Sequence, residues 1–522
     1  MTIVNRSLLF LFLFSSVSWT QRTRPERTSY EETSRYQDVM EFLDALKMDG
    51  VTMKRTWLGY SSQGRRLPMI VCGDVAGTDP ESIRKSGKLV VYIQGNIHAG
   101  EVEGKEAILE LLRELREGKH AEWRRRLVLL IVPILNADGN ENISLYNRPW
   151  QYGPIAGMGQ RANAQGLDLN RDHMKLETPE VLSFVKMLND YDPHVTIDLH
   201  TTNGSFHAYH ITYSFALNPM VDTGLDTYTR KVFFPKVEQK MTAMKWRTHR
   251  YGDYLEKTPA GIPGYFFWAT EPRFNSNYVG FRNRLAILSE SYSYISFQQR
   301  IASTKALVVS ILDVANGNSS AIKEAVSAAD AAAKELVKND SLCVQAEVIE
   351  SNSAQEILLA AVKEERNPYS GEVMYRMNED SIKSIVTSEF YATRAVKKAK
   401  VPVRYIVPDS LTDVVQLLRE HGIRVDTVKK SQRYVVQRFA IRGNKQAERE
   451  FQKHKMRTLE GAFESAELSV AAGSFIVEMD QTLSRLAFAL LEPESEDGVT
   501  AWNMVDKKFG EGKYYPILKV IN

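Results

Sequence analysis

The sequence predicts a three-layer α/β/α domain with a mixed, mostly parallel sheet, followed by a smaller C-terminal α+β domain. Short apolar runs of strand length alternate with segments whose apolar residues recur at helical spacing, which is typical of a largely parallel sheet covered by helices. After residue 341 the pattern changes to short alternating runs, which indicates a second architecture. The length of 522 residues supports this division, because it exceeds what one hydrophobic core usually serves.

The predicted elements follow one another in this order. An amphipathic helix at residues 30–48 comes first, because its apolar residues recur at helical spacing. The first domain then contains predicted strands at residues 88–94, 127–135, 195–199 and 285–289 and predicted helices at residues 102–117, 179–188, 227–245 and 298–312. Residues 319–337 are rich in Ala and Lys and predict an exposed helical connector. The second domain contains predicted strands at residues 344–349, 433–441 and 473–479 and a predicted helix at residues 411–421.

The first residues have the pattern of a secretory signal peptide. Arg6 supplies a positive charge, residues 8–14 form an apolar run, and Ser16 and Ser18 fit the small-residue positions of a cleavage site. The run is too short to span a bilayer, so we expect a secreted or periplasmic protein; the alternative is a buried N-terminal helix. The predicted units are a signal peptide at 1–18, an N-terminal helical segment at 19–49, the first domain at 50–318, the connector at 319–340 and the accessory domain at 341–522.

Composition excludes several classes of partner. With 67 Lys and Arg against 64 Asp and Glu, the net charge of +3 creates no overall field for nucleic acid or an anionic membrane, so we expect neither partner and no membrane span. Only two cysteines occur, Cys72 and Cys343, and they are either bridged or two free buried thiols. Disulfides therefore do not carry the fold, and composition does not set the oligomeric state.

Candidate metal ligands stand where two predicted strands end. His98 and Glu101 follow the first strand and His200 follows the third, at the sheet edge where open α/β proteins bind ligands. Two histidines and one carboxylate form the ligand set of a catalytic zinc site that keeps a position open. The HxxE spacing alone is a weak signal, because a loop His beside a capping Glu occurs by chance. Asp198 shares a strand face with His200 and either orients its imidazole or caps a turn.

Two further features add chemistry to this edge. Glu290 closes the fourth strand, and a desolvated carboxylate there can serve as a general base for water; the alternative is an exposed edge residue. The loop at residues 160–172 contains Arg161, Asn170 and Arg171, whose guanidinium and amide groups can bind a carboxylate and stabilise an oxyanion. The alternative is a solvated loop.

Together these motifs resemble the zinc carboxypeptidases of the carboxypeptidase A type, also called funnelins. HAGE at residues 98–101, NADG at 136–139, RANAQGLDLNRD at 161–172, the His of DLHTTNG and the Glu of LSES occur in the family's order, and the match spans roughly residues 50–315. The region from Arg404 through Trp502 also resembles the C-terminal part of large bacterial members. The set is specific, although each motif alone is not.

The resemblance implies a role for each matching residue. His98, Glu101 and His200 bind one zinc ion per chain, Glu290 is the general base, and Arg161 stabilises the oxyanion. Asn170 and Arg171 grip the terminal carboxylate of a peptide or protein substrate. The implied activity is that of a zinc metallocarboxypeptidase, which hydrolyses the C-terminal peptide bond.

The sequence departs from the family in three places. Arg148, in NRPW, competes with Arg161 for the oxyanion role. The substrate-capping tyrosine of the family has no clear counterpart, and we place it at Tyr278 rather than Tyr265 because Tyr278 lies nearer the base in sequence. Asp172 and His173 follow Arg171 where many members have Asn and an aromatic residue, which alters the expected shape of the subsite.

Substrate preference depends on a stretch that matches the family poorly. Residues 248–283 carry Arg250, Arg273 and Arg282, and a basic lining predicts a preference for acidic or polar side chains at the cleaved end.

Two other functions compete with that of a carboxypeptidase. The protein is alternatively an N-acyl amino acid deacylase or a cell-wall peptide amidase that uses the same metal site. A catalytically silent binding protein is the third alternative.

Overall fold

The computed structural model describes residues 21–48, 52–202, 204–267, 269–336, 341–351, 353–506 and 514–521. The signal peptide predicted at residues 1–18 lies outside these ranges. Across the ranges described, no helix has both the length and the apolar character that crossing a membrane requires.

The first domain contains the strands and helices of an α/β fold. The strands are β1 (Met53–Tyr60), β2 (Arg66–Cys72), β3 (Leu89–Gly95), β4 (Leu127–Val132), β5 (Val195–Thr201), β6 (Ile211–Phe215), β7 (Thr248–Arg250), β8 (Asp253–Leu255), β9 (Gly264–Phe266) and β10 (Leu285–Ser291). The helices are α1 (Arg24–Arg27), α2 (Tyr36–Ala45), α3 (Pro80–Lys85), α4 (Glu103–Arg116), α5 (Ala137–Glu141), α6 (Pro179–Tyr191), α7 (Thr223–Tyr228), α8 (Phe234–Ala243), α9 (Asn275–Phe281), α10 (Phe297–Gly317) and α11 (Ser319–Glu335).

Eight of these strands form one mixed sheet in the order β1-β2-β4-β3-β5-β10-β6-β7. The central strands β4, β3, β5 and β10 run parallel, while β1, β2 and β6 add antiparallel pairs. Every residue of β3, β4 and β5 is buried, because helices cover both faces of the sheet. The predicted three-layer domain is therefore confirmed. The parallel register sets Glu290 of β10 directly beside His200 of β5.

All four strands predicted for this domain are present, with shifted ends. The second strand stops at Val132 rather than at residue 135, because Pro133 cannot donate to the ladder. The helix predicted at 227–245 is divided into α7, a π-helical turn and α8, and the helix at 30–48 is shortened to α2. The hairpin of β1 and β2 and the short strands β6–β9 were not predicted from the sequence.

The C-terminal region consists mainly of antiparallel sheets. Its strands are β11 (Ser341–Ile349), β12 (Gln355–Leu359), β13 (Val362–Arg366), β14 (Val373–Met377), β15 (Lys383–Phe390), β16 (Ala392–Lys400), β17 (Arg404–Val407), β18 (Asp426–Thr427), β19 (Gln432–Gln446), β20 (Arg457–Val470), β21 (Phe475–Glu478) and β22 (Leu518–Val520), and its helices are α12 (Thr412–Glu420) and α13 (Ser484–Leu491). The largest sheet has the order β18-β21-β17-β22-β19-β20. The predicted α+β architecture is confirmed.

The two regions share structure. Strands β8 and β9 of the first region form one sheet with β12 and β15 of the second, in the order β12-β15-β9-β8. The connector helix α11 is not exposed on all sides as predicted, because Ile322, Val326 and Ala329 on one face are buried. Cys72 and Cys343 are free buried thiols, so no disulfide links the regions.

Candidate metal centre

Three side chains converge at the carboxyl ends of β3 and β5. His98 Nδ1 lies 3.0 Å from Glu101 Oε1, His200 Nδ1 lies 2.9 Å from Glu101 Oε2, and the two Nδ1 atoms lie 3.2 Å apart. Ligand atoms around a tetrahedral zinc ion are separated by about 3.3 Å, because Zn–N bonds measure roughly 2.0–2.1 Å. Two unprotonated imidazole nitrogens at this distance repel each other unless a cation lies between them. The donor set and its spacing therefore fit zinc.

A carboxylate holds the far side of each imidazole. His98 Nε2 donates to Asp168 Oδ1 at 3.0 Å, and His200 Nε2 donates to Asp198 Oδ2 at 2.9 Å. These bonds leave each Nδ1 free to bind a metal and fix the ring orientation. The sequence indicated an orienting role for Asp198 but none for Asp168, because Asp168 lies 70 residues from its histidine.

Glu101 is held as a carboxylate although it is buried. Burial acts to raise its pKa, but His98 and Arg148 reverse the effect, and the pKa of Glu101 lies well below its ordinary range. Arg148 Nη1 donates to Glu101 Oε1 at 2.8 Å, and the Thr201 amide donates to Oε2 at 3.1 Å. An ionised carboxylate at this position can serve as a metal ligand.

Glu290 is tuned in the opposite direction. Burial raises the pKa of Glu290 to about 8, although the charge on His200 opposes the rise. Its backbone is fixed between β5 and β6, opposite His200 and Thr212. A raised pKa makes the ionised form of Glu290 a stronger base, and that form can accept a proton from water.

Close backbone packing determines the shape of the turn at residues 98–101, which carries His98 and Glu101 and which we call the ligand turn. A Cβ on Gly100 would lie 2.8 Å from Arg148 Cδ and 2.9 Å from the Gly159 carbonyl oxygen, so a side chain there would displace Arg148. Asn136, of the NADG motif, donates through Nδ2 to the Ile97 and Arg161 carbonyl oxygens at 3.3 and 3.1 Å. The NADG motif therefore links the ligand turn to the loop at residues 160–172 by hydrogen bonds.

The two competing arginines have different surroundings. Arg148 donates to Gln151, to Glu101 and to the Thr201 and Thr202 carbonyl oxygens, and its side chain is only 12% exposed. Arg161 donates through Nε to Asp168 Oδ2 at 2.9 Å, and its side chain is 45% exposed. Arg161 Nη1 lies 3.5 Å from Glu101 Oε1, outside hydrogen-bond geometry, whereas Arg148 donates directly to Glu101. The more exposed Arg161 side chain therefore has more freedom to meet a substrate in the cavity that both arginines line.

Asn170 and Arg171 lie beside this centre on a short 3-10 turn. Arg171 stacks over the Phe274 ring at 4.3 Å and donates to the Asn170 carbonyl oxygen. The Asn275 amide donates to Asn170 Oδ1 at 2.9 Å. His173 does not enter the cavity: burial lowers its pKa to about 4, and the neutral ring contacts the Asn275 amide group and the Arg273 carbonyl oxygen.

These groups line one cavity of about 250 Å³. It is lined by His98, Glu101, Arg148, Arg161, Asn170, Arg171, His200, Thr201, Tyr251, Phe267, Ala269, Phe274, Leu288 and Glu290. Every predicted site residue except Tyr278 is among them. Beyond the polar groups, the wall is apolar and largely aromatic.

The structure places Tyr278 elsewhere. Its ring is fully buried and its hydroxyl lies 2.8 Å from His421 Nδ1, because helix α9 directs the side chain toward the C-terminal region. Tyr251 lines the cavity instead, and burial together with the nearby Glu290 charge raises the pKa of its hydroxyl. No sequence motif marks Tyr251, which lies in the poorly matched stretch at residues 248–283.

The predicted basic lining is also absent from the cavity wall. Arg250 pairs with Glu389 at 2.7 Å and Arg273 pairs with Asp497 at 2.9 Å. Arg282 donates to the His421 carbonyl oxygen and to Asn189. All three arginines are engaged in contacts outside the cavity, so the sequence-based preference for acidic side chains has no structural support.

The chain is similar to known carboxypeptidases. Residues 39–203 match the family described as zinc carboxypeptidase. Carboxypeptidase 2 of Trichophyton tonsurans is 23% identical over 91% of this chain and 85% of its own length. The carboxypeptidase N catalytic chain of Rattus norvegicus is 32% identical over 28% of this chain and 31% of its own. A metallo-carboxypeptidase of Burkholderia cenocepacia has a TM-score of 0.42 and 17% identity, covering 55% of this chain and 71% of that one.

The family match and the relatives that align over most of the chain identify the class of protein as a metallopeptidase. The chain is a zinc metallopeptidase, and its residues 39–203 are similar to the zinc carboxypeptidase family.

Proposed function

We propose that the protein removes the C-terminal residue of peptides, with His98, Glu101 and His200 as zinc ligands. The observation that carries this proposal is the position of Arg171, which lies in the same cavity of about 250 Å³ as the ligands and Glu290. A partly buried guanidinium in the wall of a cavity can bind a substrate carboxylate. That position favours cleavage next to a free C-terminus.

Each residue has a separate task in the proposed reaction. Zinc held by the three ligands supplies a Lewis acid for the scissile carbonyl and acidifies water. Glu290 accepts the proton from the attacking water and returns it to the leaving amine. Arg161 donates hydrogen bonds to the developing oxyanion. Arg171 and the Asn170 amide group hold the terminal carboxylate.

The cavity wall supports a preference for apolar or aromatic C-terminal side chains. Tyr251, Phe267, Ala269, Phe274 and Leu288 form the apolar and aromatic part of the lining. The carboxylates of the lining, Glu101 and Glu290, are assigned to the metal and the base, so none remains to pair with a basic side chain. Burial of an apolar side chain against such a wall is favourable.

A set of three substrates tests the proposal. We expect rapid cleavage of a peptide ending in Phe with a free carboxylate, little cleavage of its amidated form, and slower cleavage of N-acetyl-phenylalanine, which offers no upstream residues. Arg171→Met should raise KM for the free acid and leave the amide unaffected. Equal cleavage of the acid and the amide by the unaltered protein would contradict the carboxylate-binding role.

We also propose that the protein is exported. The charge at Arg6, the apolar run at residues 8–14 and the small residues Ser16 and Ser18 support this. Mass spectrometry of the mature protein should find a chain that starts at Trp19. A mature chain that retains the apolar run would contradict export by this route.

A further inference from the structure

A loop of the C-terminal region contacts the segment of the first region that contains Asp168, Asn170 and Arg171. Strands β19 and β20 form a long hairpin whose loop, residues 447–456, contacts the 168–177 segment of the first region. At its tip, Phe451 and His454 exchange backbone hydrogen bonds of 2.8 and 3.0 Å across Gln452 and Lys453. We call residues 451–454 the hairpin tip.

The backbone of the hairpin tip is unfavourable by itself. Gln452 and Lys453 have φ values of 52° and 65°, a region that glycine adopts readily and other residues adopt rarely. Such conformations persist where surrounding contacts impose them, and they cluster at functional sites.

Contacts on both sides hold the tip in place. His454 Nε2 lies 2.7 Å from Glu177 Oε1, and the His454 ring packs edge-on against Trp502. The Arg273 guanidinium lies 5.0 Å above the Phe451 ring, which is a cation–π contact. Each flank of the turn is therefore anchored to the first region or to Trp502.

The central contact of the tip is with Asp168. Gln452 Oε1 accepts a hydrogen bond of 2.9 Å from the Asp168 backbone amide. Asp168 in turn accepts from His98 Nε2 through Oδ1 and from Arg161 Nε through Oδ2, both within 3.0 Å. One residue thus joins the hairpin tip to a proposed metal ligand and to the proposed oxyanion arginine.

We propose that Gln452 is a positioning residue of the catalytic centre, which fixes Asp168 and through it the orientations of His98 and Arg161. The C-terminal region then completes the active site rather than forming a separate binding domain. The catalytic consequence rests on the proposed function, whereas the effect on Asp168 does not. Without an acceptor at position 452 the Asp168 amide loses its partner, and the carboxylate has more freedom to turn.

Two nearly isosteric variants test the acceptor. Gln452→Met removes the oxygen but keeps the length of the side chain, and Gln452→Glu keeps an oxygen. We expect Gln452→Met to lower kcat and zinc affinity by about tenfold, at the lower end of losses for groups that support metal ligands. Gln452→Glu should stay within about threefold of the unaltered protein, because a carboxylate oxygen replaces the amide oxygen. Lys453→Gln, at the exposed neighbouring position, is the matched control and should change neither quantity.

Hydrogen exchange of the zinc-free protein gives a readout that is independent of turnover. The amide of Asp168 should exchange faster in Gln452→Met than in Gln452→Glu, while helices α4 and α10 keep their protection. Thermal unfolding shows whether either variant is globally destabilised.

The proposal would be overturned if both variants kept the Asp168 exchange rate, the zinc affinity and the kcat of the unaltered protein. Equal losses in both variants would also overturn it, because the acceptor would then be irrelevant. If the unaltered protein cleaves no free-acid peptide, the proposed function fails, but exchange at Asp168 and zinc affinity still decide the role of Gln452.

Discussion

The two ends of the catalytic cavity are built in different ways. The metal end consists of residues at the carboxyl ends of β3, β5 and β10, strands that lie within the central sheet. The opposite wall consists of Tyr251, Phe267 and Phe274, which lie on short segments outside that sheet. Those segments depend on the C-terminal region: β9 pairs with β15, and Arg273 pairs with Asp497.

This difference implies that metal binding and substrate binding depend on largely different sets of contacts. The proposed ligands are fixed by strand register and by two carboxylates of the first region, and only one of these, Asp168, is also bonded to the C-terminal region, through Gln452. The wall is fixed from a region some 120–230 residues further along the chain. Changes at the metal end should therefore alter turnover and zinc content, and changes behind the wall should alter KM.

The largest effect is expected at the base. Glu290→Gln removes the proton acceptor and keeps the shape, so kcat should fall by about 10²–10⁴-fold. Zinc content, measured by atomic emission, should remain at one ion per chain, because Glu290 is not one of the three converging ligands. The matched control His200→Gln should lose both zinc and activity. Retention of kcat within threefold in Glu290→Gln would show that another group accepts the proton.

The next effect separates the two arginines. Arg161→Met should lower kcat by about 10²–10³-fold, the usual loss when one oxyanion donor is removed. Arg148→Met should instead weaken zinc binding, because Arg148 holds Glu101 ionised and ties it to the Thr201 and Thr202 carbonyl oxygens. Steady-state kinetics and chelator competition measure the two quantities. The assignment fails if Arg148→Met lowers kcat at saturating zinc more than Arg161→Met does.

A smaller effect distinguishes the orienting carboxylates. Asp198→Asn and Asp168→Asn should each weaken zinc binding by about 10–100-fold, since each removes the acceptor charge behind a ligand histidine. Only Asp168→Asn should also lower kcat at saturating zinc, because Asp168, unlike Asp198, accepts a hydrogen bond from Arg161. Identical kinetics for the two variants at saturating zinc would mean that the contact between Asp168 and Arg161 does no catalytic work.

The metal end could be predicted from sequence because its signals are local. An apolar strand followed by His98 and Glu101, or ending in His200 or Glu290, places each group at the same sheet edge without knowledge of distant contacts. For the same reason the four predicted strands of the first domain are present with shifts only at their ends, whereas the hairpin of β1 and β2 and the short strands β6–β9 were not predicted. The strand order and the pairing of His200 with Glu290 come from the structure.

The opposite wall could not be predicted because its positions depend on contacts far apart in sequence. Tyr278 was preferred for its nearness to Glu290 in sequence, yet helix α9 turns it toward His421. Arg250 and Arg273 were assigned to the lining from composition, but their partners Glu389 and Asp497 lie in the C-terminal region. Short strands such as β8 and β9 are stabilised by cross-strand pairing with that region, which periodicity does not reveal.

The smallest predicted effect tests the wall itself. Asp497 is buried and accepts from both the backbone amide and Nε of Arg273, which precedes Phe274 and Asn275. Asp497→Asn removes the charge that fixes this segment, and through Asn275 it loosens Asn170. We expect KM for a free-acid peptide to rise by about threefold to tenfold, as for the loss of a hydrogen bond worth about 1 kcal/mol. Zinc affinity and kcat should not change.

The matched control for this prediction is Asp480→Asn. Asp480 also pairs with an arginine, Arg424, but its side chain is 71% exposed, and exposed pairs contribute about 0–1 kcal/mol. Its replacement should leave KM unaltered, so a rise confined to Asp497→Asn identifies the wall rather than a general loss of charge. If Asp497→Asn weakened zinc binding as much as Asp198→Asn, the two ends of the cavity would share one support, and the separation drawn between them would be wrong.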